Sequence, residues 1–264
     1  MPYDTITFEV SDSVGLLTLN RPDSLNAINW PLLDDIGAVL SLIEGGESGV
    51  RCLLLTGAGR GFCSGADLSR DDLSAVGPDR DIGLTLEQKY NPVFKRLRAL
   101  PVPLVTAVNG AAAGAGMSLA LAGDIVIAAR SAYFLQAFVN IGLIPDAGST
   151  YVVPRLVGKA RALAMMMLGE KVPAELARDW GMIYEVTEDD ALMDRARQIA
   201  SSLAAGPTVA LGHIRTLINA SSGNSYADQL DLERAMQKAA GRTEDFVEGV
   251  SAFAQKRKAE FKGR

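Results

Sequence analysis

The sequence predicts an α/β fold in which helices cover a sheet, and three observations carry that expectation. Short, largely apolar runs near residues 51–56, 104–108 and 125–128 have the length and composition of buried strands. Helical spacing appears between them, with Tyr90, Val93, Phe94, Leu97 and Leu100 on one face. Strands that alternate with helices in this way imply a sheet packed under its crossover helices.

The elements follow in order. Residues 5–10 alternate, with Ile6, Phe8 and Val10 on one face, and 14–19 form a second apolar strand. Asp12-Ser13 supplies the turn between them, so the chain opens with a β-hairpin. Asn29 caps a helix from Trp30 to about Glu44, and Pro31 is tolerated in its first turn. The strand at 51–56 ends in a glycine-rich loop, 85–100 form an amphipathic helix, and 104–108 and 125–128 are buried strands. Beyond about Lys171 strand signals thin out. Pro173 starts one helix, 190–205 form another, 207–220 and 225–240 follow, and 243–261 form the last. No long linker divides these helices from what precedes them. The expected organisation is an α/β core over 1–200 continuous with a helical region over 201–264.

Composition narrows the function. A formal net charge of -5 argues against a nucleic-acid partner, which normally leaves a basic footprint. Cys52 and Cys63 match no disulfide framework or metal spacing, and the single histidine, His213, cannot complete a zinc set. No metal is expected, and a reducing cytoplasm is the simplest setting. Residues 101–123 carry no charge and are long enough to span a bilayer, but Pro103, Asn109, Gly110, Gly114 and Gly116 interrupt them. A strand, turn and helix inside a protein core fits better, so no membrane partner is expected. Met165-Met166-Met167 reads as adaptable core packing.

Familiar chemistries fail on spacing. Gly57-Ala58-Gly59-Arg60-Gly61 follows a strand, but Phe62 stands where a dinucleotide loop needs its third glycine. Ser64 lacks the flanking pattern of a nucleophile elbow, and His213 lies in an apolar helical pattern that reads as packing. Two stretches of small residues remain. Gly65-Ala66 and Gly114-Ala115-Gly116 each bring backbone N–H groups to or near a helix start, where donors are unpaired. Asp146 follows Pro145 where an apolar run gives way to a helix start. One base and two backbone donors are the minimum equipment for moving a proton beside a carbonyl. Capping of a helix over 147–157 is the simpler role for Asp146.

Taken together these motifs resemble the crotonase, or enoyl-CoA hydratase/isomerase, superfamily over essentially the whole chain. The likeness runs from Asn20-Arg21-Pro22 and Leu25-Asn26-Ala27 through both glycine loops to Glu248-Gly249-Val250-Ser251-Ala252-Phe253 and Lys256-Arg257-Lys258. The resemblance implies a spiral of repeated ββα units and a helical C-terminal region that assembles homotrimers or dimers of trimers. It implies that Ala66 and Ala115 donate the N–H groups that hold an acyl-CoA thioester oxygen. Arg21, Ala27, Ala66 and Leu68 would lie near the coenzyme A. Phe253, Lys256 and Phe261 would reach it from a neighbouring subunit. Coenzyme A then enters as part of the substrate, with no tightly bound cofactor.

The departures are as informative as the matches. Hydratases of the family carry glutamates where Ser118 and Phe138 stand, and usually a glycine where Asp146 stands. The Ile-Pro-Asp-Ala-Gly order, with Asp179-Trp180-Gly181-Met182-Ile183 and Ala240-Gly241-Arg242, is similar to the epoxyphenylacetyl-CoA isomerases of phenylacetate degradation. The implied activity is an acyl-CoA isomerase with Asp146 as its catalytic carboxylate, desolvated by Phe138, Ile141 and Leu143. The alternatives are a hydratase of broad specificity and a non-catalytic acyl-CoA-binding relative. The loop over 70–84 is expected to wall the acyl pocket and to act as a lid.

Overall fold

The computed structural model describes residues 3–68 and 81–264. The expected lid therefore lies, over 70–80, outside the described residues. Strands β1 (Ile6–Ser11) and β2 (Val14–Leu19) pair antiparallel from Ile6↔Leu19 to Ser11↔Val14. Asp12 and Ser13 between them take φ of 51° and 63°, the left-handed pair that suits the twist of a two-residue hairpin. Helix α1 (Trp30–Glu44) begins where expected, and Asn29 Oδ1 accepts from the Leu32 N–H at 2.9 Å.

The chain then makes three similar turns. Strand β3 (Cys52–Gly57) is followed closely by β4 (Gly61–Cys63), β5 (Leu104–Val108) by β6 (Ala111–Ala113), and β7 (Ile125–Ala129) by β8 (Tyr133–Leu135). The first strand of each pair joins a six-stranded sheet in the order β1-β2-β3-β5-β7-β10. The second joins a four-stranded sheet, β4-β6-β8-β9. Helices complete the turns: α2 (Ile82–Thr85) and α3 (Asn91–Ala99), then α4 (Ala115–Ala120), then α5 (Ser149–Val157) and α6 (Lys159–Leu168). Apolar runs explain the burial of β3 and β5, in which every residue is buried. The uncharged stretch over 101–123 is resolved into β5, β6 and α4, and no helix among the described residues is long and apolar enough to cross a membrane.

Between α2 and α3 the segment Leu86–Tyr90 winds as a wide, π-type turn, with Asn91 N–H bonding back to the Leu86 carbonyl. Pro92 is the cause: it has no N–H to continue the regular ladder. The expected single helix over 85–100 is thus three pieces, although Tyr90, Val93, Leu97 and Leu100 are buried as predicted.

Two short strands escape the sequence pattern after Lys171. These are β9 (Lys171–Pro173), antiparallel to β8, and β10 (Glu185–Thr187), parallel to β7, with α7 (Ala174–Asp179) between them. Helices α8 (Leu192–Ala204), α9 (Thr208–Ser221) and α10 (Tyr226–Ala240) match their expected spans closely. Arg215 ties α9 to the core through Asp124 and the Leu97 and Leu100 carbonyls. No residue of α10 is buried in this chain.

The last helix is shorter than predicted. Helix α11 (Glu244–Ala254), capped by Thr243, ends well before residue 261. Lys256 adopts φ 53° and reverses the chain, so the basic run is not helical. The tail folds back, and the buried Asp245 carboxylate accepts from the Lys262 and Gly263 N–H groups at 2.6 and 2.9 Å. The methionine run is also only partly core: Met165 is buried, whereas Met167 is exposed.

Candidate active site

The short strands of the four-stranded sheet bring the two glycine loops together. Strand β4 leads into Ser64-Gly65-Ala66 and β6 into Gly114-Ala115, and the two strands pair in parallel. Gly65, at φ 96°, is so close to the second loop that an added Cβ would lie 2.9 Å from the Ala113 carbonyl oxygen and 3.6 Å from Ala115 N. Gly116 is tighter still, since a Cβ there would fall 2.2 Å from the Cys63 carbonyl oxygen. Glycine is required at both by backbone approach. Ala66 is exposed and Ala115 buried. Neither N–H donates to a described residue, because Ala66 sits in a bridge that uses Gly65 O and Asp67 N, and Ala115 opens α4. Both donors are unpaired among the described residues.

The first loop is braced by the segment 20–28. Asn26 is fully buried in a left-handed conformation, accepts from Arg21 N–H at 2.8 Å and donates to the Ala58 and Gly61 carbonyls. Ile28 N–H bonds to Gly65 O at 2.7 Å and Asp67 N–H to Ile28 O at 2.9 Å. Arg21 reaches across, pairing with Asp67 at 2.8 Å and donating to the Ala27 carbonyl. Arg21, Ala27, Ala66 and the exposed Leu68 are thereby gathered into one patch. The Arg21 guanidinium is engaged within that patch. Ser64 and Asn109 are also structural, donating to the carbonyls of Ser24 and Gly59.

Asp146 lies across α4 from these donors. It does not cap a helix: α5 starts at Ser149 with Gly148 as its N-cap residue, and no side chain caps it. Asp146 Oδ1 is buried and has no hydrogen-bond partner among the described residues. Burial pushes its carboxyl up to about 6 from a usual 3.8. Phe138 is buried, and its ring stands 3.7 Å from where a Gly114 Cβ would be. Ile141 and Leu143, expected to desolvate the carboxyl, are exposed instead, because the stretch 139–144 runs over the surface of this chain. Tyr90 is a site neighbour that sequence reasoning treated only as helix core. It is buried edge-on to Trp30 at 6.2 Å, and burial first, then the Asp146 charge, raise its hydroxyl well above the usual range. Its place at the end of a π-type turn, forced by Pro92, is the signal that could have found it.

The C-terminal residues stay apart. Phe253 is 88% exposed on α11, Lys256 sits at the chain reversal, and Phe261 packs on Gly249 with its carbonyl held by Arg51 at 3.0 Å. No hydrogen bond or ring contact among the described residues links these three to the glycine loops. No group of three or more metal-ligating side chains occurs among the described residues.

A spiral of ββα turns that sets two glycine loops side by side defines the crotonase fold. The family profile for enoyl-CoA hydratase/isomerase matches residues 9–264. The chain is 49% identical to the 1,2-epoxyphenylacetyl-CoA isomerase of Escherichia coli (strain K12), covering 98% of each. It is 36% identical to the 2,3-dehydroadipyl-CoA hydratase of the same organism, over 95% of this chain and 96% of that one. The crystal structure of an enoyl-CoA hydratase from Bacillus anthracis superposes with a TM-score of 0.91 at 29% identity, covering 99% of this chain and 100% of that one. The chain belongs to the enoyl-CoA hydratase/isomerase family and is an enzyme of that class.

Proposed function

We propose that this enzyme is an acyl-CoA isomerase that uses one carboxylate, Asp146. The observation that carries the reading is the buried Asp146 Oδ1, unpartnered among the described residues, in a chain that has Ser118 and Phe138 where a two-carboxylate hydratase would need acids. The Ala66 and Ala115 N–H groups polarise the thioester oxygen and lower the cost of an enolate-like state, each donor supplying about 10²–10³ in rate. Asp146 takes a proton from one carbon and returns it to another, which shifts a double bond. With the ring epoxide of phenylacetyl-CoA, the substrate type named for the Escherichia coli relative, the same groups assist ring opening and rearrangement. A carboxyl poised near 6 is deprotonated at neutral pH yet still basic enough to act.

Arg21, Ala27, Ala66 and Leu68 form the coenzyme A shelf in this reading. Phe253, Lys256 and Phe261 complete it from a neighbouring subunit of a homotrimer or dimer of trimers. The bare α10 and the exposed Phe253 support such an assembly. A cytoplasmic setting fits a coenzyme A thioester as substrate, with no further cofactor.

Broad-specificity hydration is the second reading, favoured by the hydratase relative. Offering purified protein a 3-enoyl-CoA and crotonyl-CoA side by side, with Asp146→Asn as control, separates the two. Isomerisation that vanishes in the variant supports the first. Efficient hydration of crotonyl-CoA overturns it, and turnover of either excludes a purely acyl-CoA-binding role.

A further inference from the structure

Three buried polar side chains, Gln136, Ser149 and Ser118, form a hydrogen-bond chain that ends on the Asp146 backbone. Gln136 Nε2 donates to Ser149 Oγ at 3.0 Å. Ser149 Oγ and Ser118 Oγ are 2.6 Å apart, and Ser118 Oγ donates to the Asp146 carbonyl at 3.3 Å. Each hydroxyl has one proton, so Ser118 can supply the Asp146 carbonyl only if Ser149 donates to Ser118. Ser149 in turn accepts from the amide of Gln136. The Asp146 carbonyl also accepts from Ser149 N–H at 2.9 Å.

This chain acts on a strained turn. Ala147 and Gly148, directly after Asp146, take φ of 49° and 85°. A non-glycine residue there costs about 1–2 kcal/mol and persists only when its surroundings hold it. What holds it is anchored on α4, the helix that opens at Ala115, whose N–H is unpaired among the described residues. Gln136 is fully buried and its Oε1 has no partner among the described residues, so the amide is retained at a cost that packing alone does not explain.

We infer that Ser118 is a positioning residue: through the Gln136–Ser149–Ser118 chain it fixes the Asp146 backbone against α4 and sets the carboxyl's reach to a carbon beside the thioester held at Ala115. This inference rests on Asp146 being the catalytic carboxylate. The titratable group nearest in effect is Tyr90, which burial keeps protonated, with Asp67 and Cys63 acting on it from the first loop.

The test uses the full chain and a 3-enoyl-CoA, with Ser118→Ala, Ser118→Thr and Asp146→Asn in parallel. Ser118→Ala lowers kcat about 10- to 100-fold while KM stays within about twofold, the signature of a misplaced reacting group. Its acid limb moves below the wild-type value, because a loosened turn admits water to the carboxyl. Ser118→Thr, which keeps the hydroxyl, restores most of kcat. Wild-type kcat and an unshifted limb in Ser118→Ala, with Asp146→Asn inactive, overturn this inference alone. Turnover that survives in Asp146→Asn overturns the one-carboxylate reading beneath it. Should Ser118→Ala fold poorly, Ser149→Ala decides, since it breaks the same chain: a fall in kcat at constant KM supports the role, and unchanged kinetics ends it.

Discussion

The glycine loops and the segment that carries Asp146 meet across α4, yet different forces hold them. At Gly65 and Gly116 backbone presses on backbone, and an added Cβ would lie under 3 Å from a carbonyl oxygen. At Gly148 no described residue lies within 4 Å of an added Cβ, and the neighbouring turn is bonded by the Ser118 and Ser149 hydroxyls and the Gln136 amide. One half of the site is fixed by exclusion, the other by directed bonds. In the proposed reaction the thioester donors therefore belong to the rigid half. The proposed acid–base group sits where one side chain can change without moving the sheet.

That contrast can be broken in several ways, from the largest effect downward. On the one-carboxylate proposal, Asp146→Asn removes the acid–base group while leaving the donors, so turnover falls about 10²- to 10⁴-fold and acyl-CoA binding, measured by calorimetry, is kept. Gly116→Ala forces the α4 start off Cys63, so stability falls by about 1–3 kcal/mol and kcat/KM by about 10²-fold. Gly148→Ala, with open space and only positive φ to contend with, costs about 1 kcal/mol in denaturant unfolding. Equal costs for these two glycines would erase the proposed distinction. Because Asp146 must be ionised to accept a proton, kcat/KM rises with pH through about 6, changing about tenfold between pH 5 and the plateau. Arg21→Ala loosens the shelf beside the first loop and raises KM about fivefold, the effect of about 1 kcal/mol, with kcat kept.

The smallest effect concerns stability and has a defined sign. Burial raises the Asp146 carboxyl from 3.8 to about 6, so the folded protein holds that proton more tightly than the unfolded chain. Its contribution favours folding below the unfolded value and is lost as pH rises through about 6. Discounted for partial exposure from about 3 to roughly 1 kcal/mol, that loss makes Asp146→Asn melt about 2–4 °C above wild type at pH 8 and at the same temperature as wild type below the unfolded value of 3.8. A lower melting temperature at pH 8 would mean that the carboxylate is structurally required.

Much of the rigid half was legible in the sequence. Small residues at 65–66 and 114–116 announce close backbone approach, and the long strands and the helix capped by Asn29 follow from apolar runs and that one cap residue. The three-residue strands β4, β6 and β8 were not legible, since periodicity cannot be read in so few residues. They are nevertheless what joins the loops. In the directed half Asp146 stood out, but the absent glutamate at Ser118 drew attention from the hydroxyl present there. Its partners Ser149 and Gln136 come from separate elements that only the fold brings together. Ile141 and Leu143 looked like core because they are apolar, but composition does not say which side of a loop faces the protein, and both are exposed in this chain. The tail was misjudged for a related reason: helical composition continues past Ala254, and Lys256 reverses it where no glycine gives warning.

The packing of Gly116 onto Cys63 has a practical use. The Cys63 sulfur is fully buried beneath the first loop, and burial pushes its thiol up to about 12, as it does for Cys52 in the main sheet. A thiol-modifying reagent can therefore reach either cysteine only after the protein opens. Cys52 reports opening of the central sheet, whereas Cys63 reports the parting of β4 from α4. The ratio of their labelling rates is a built-in clock for breathing of the glycine loops, readable by mass spectrometry without a substrate assay, and on the proposed binding mode a thioester seated there slows the Cys63 hand alone.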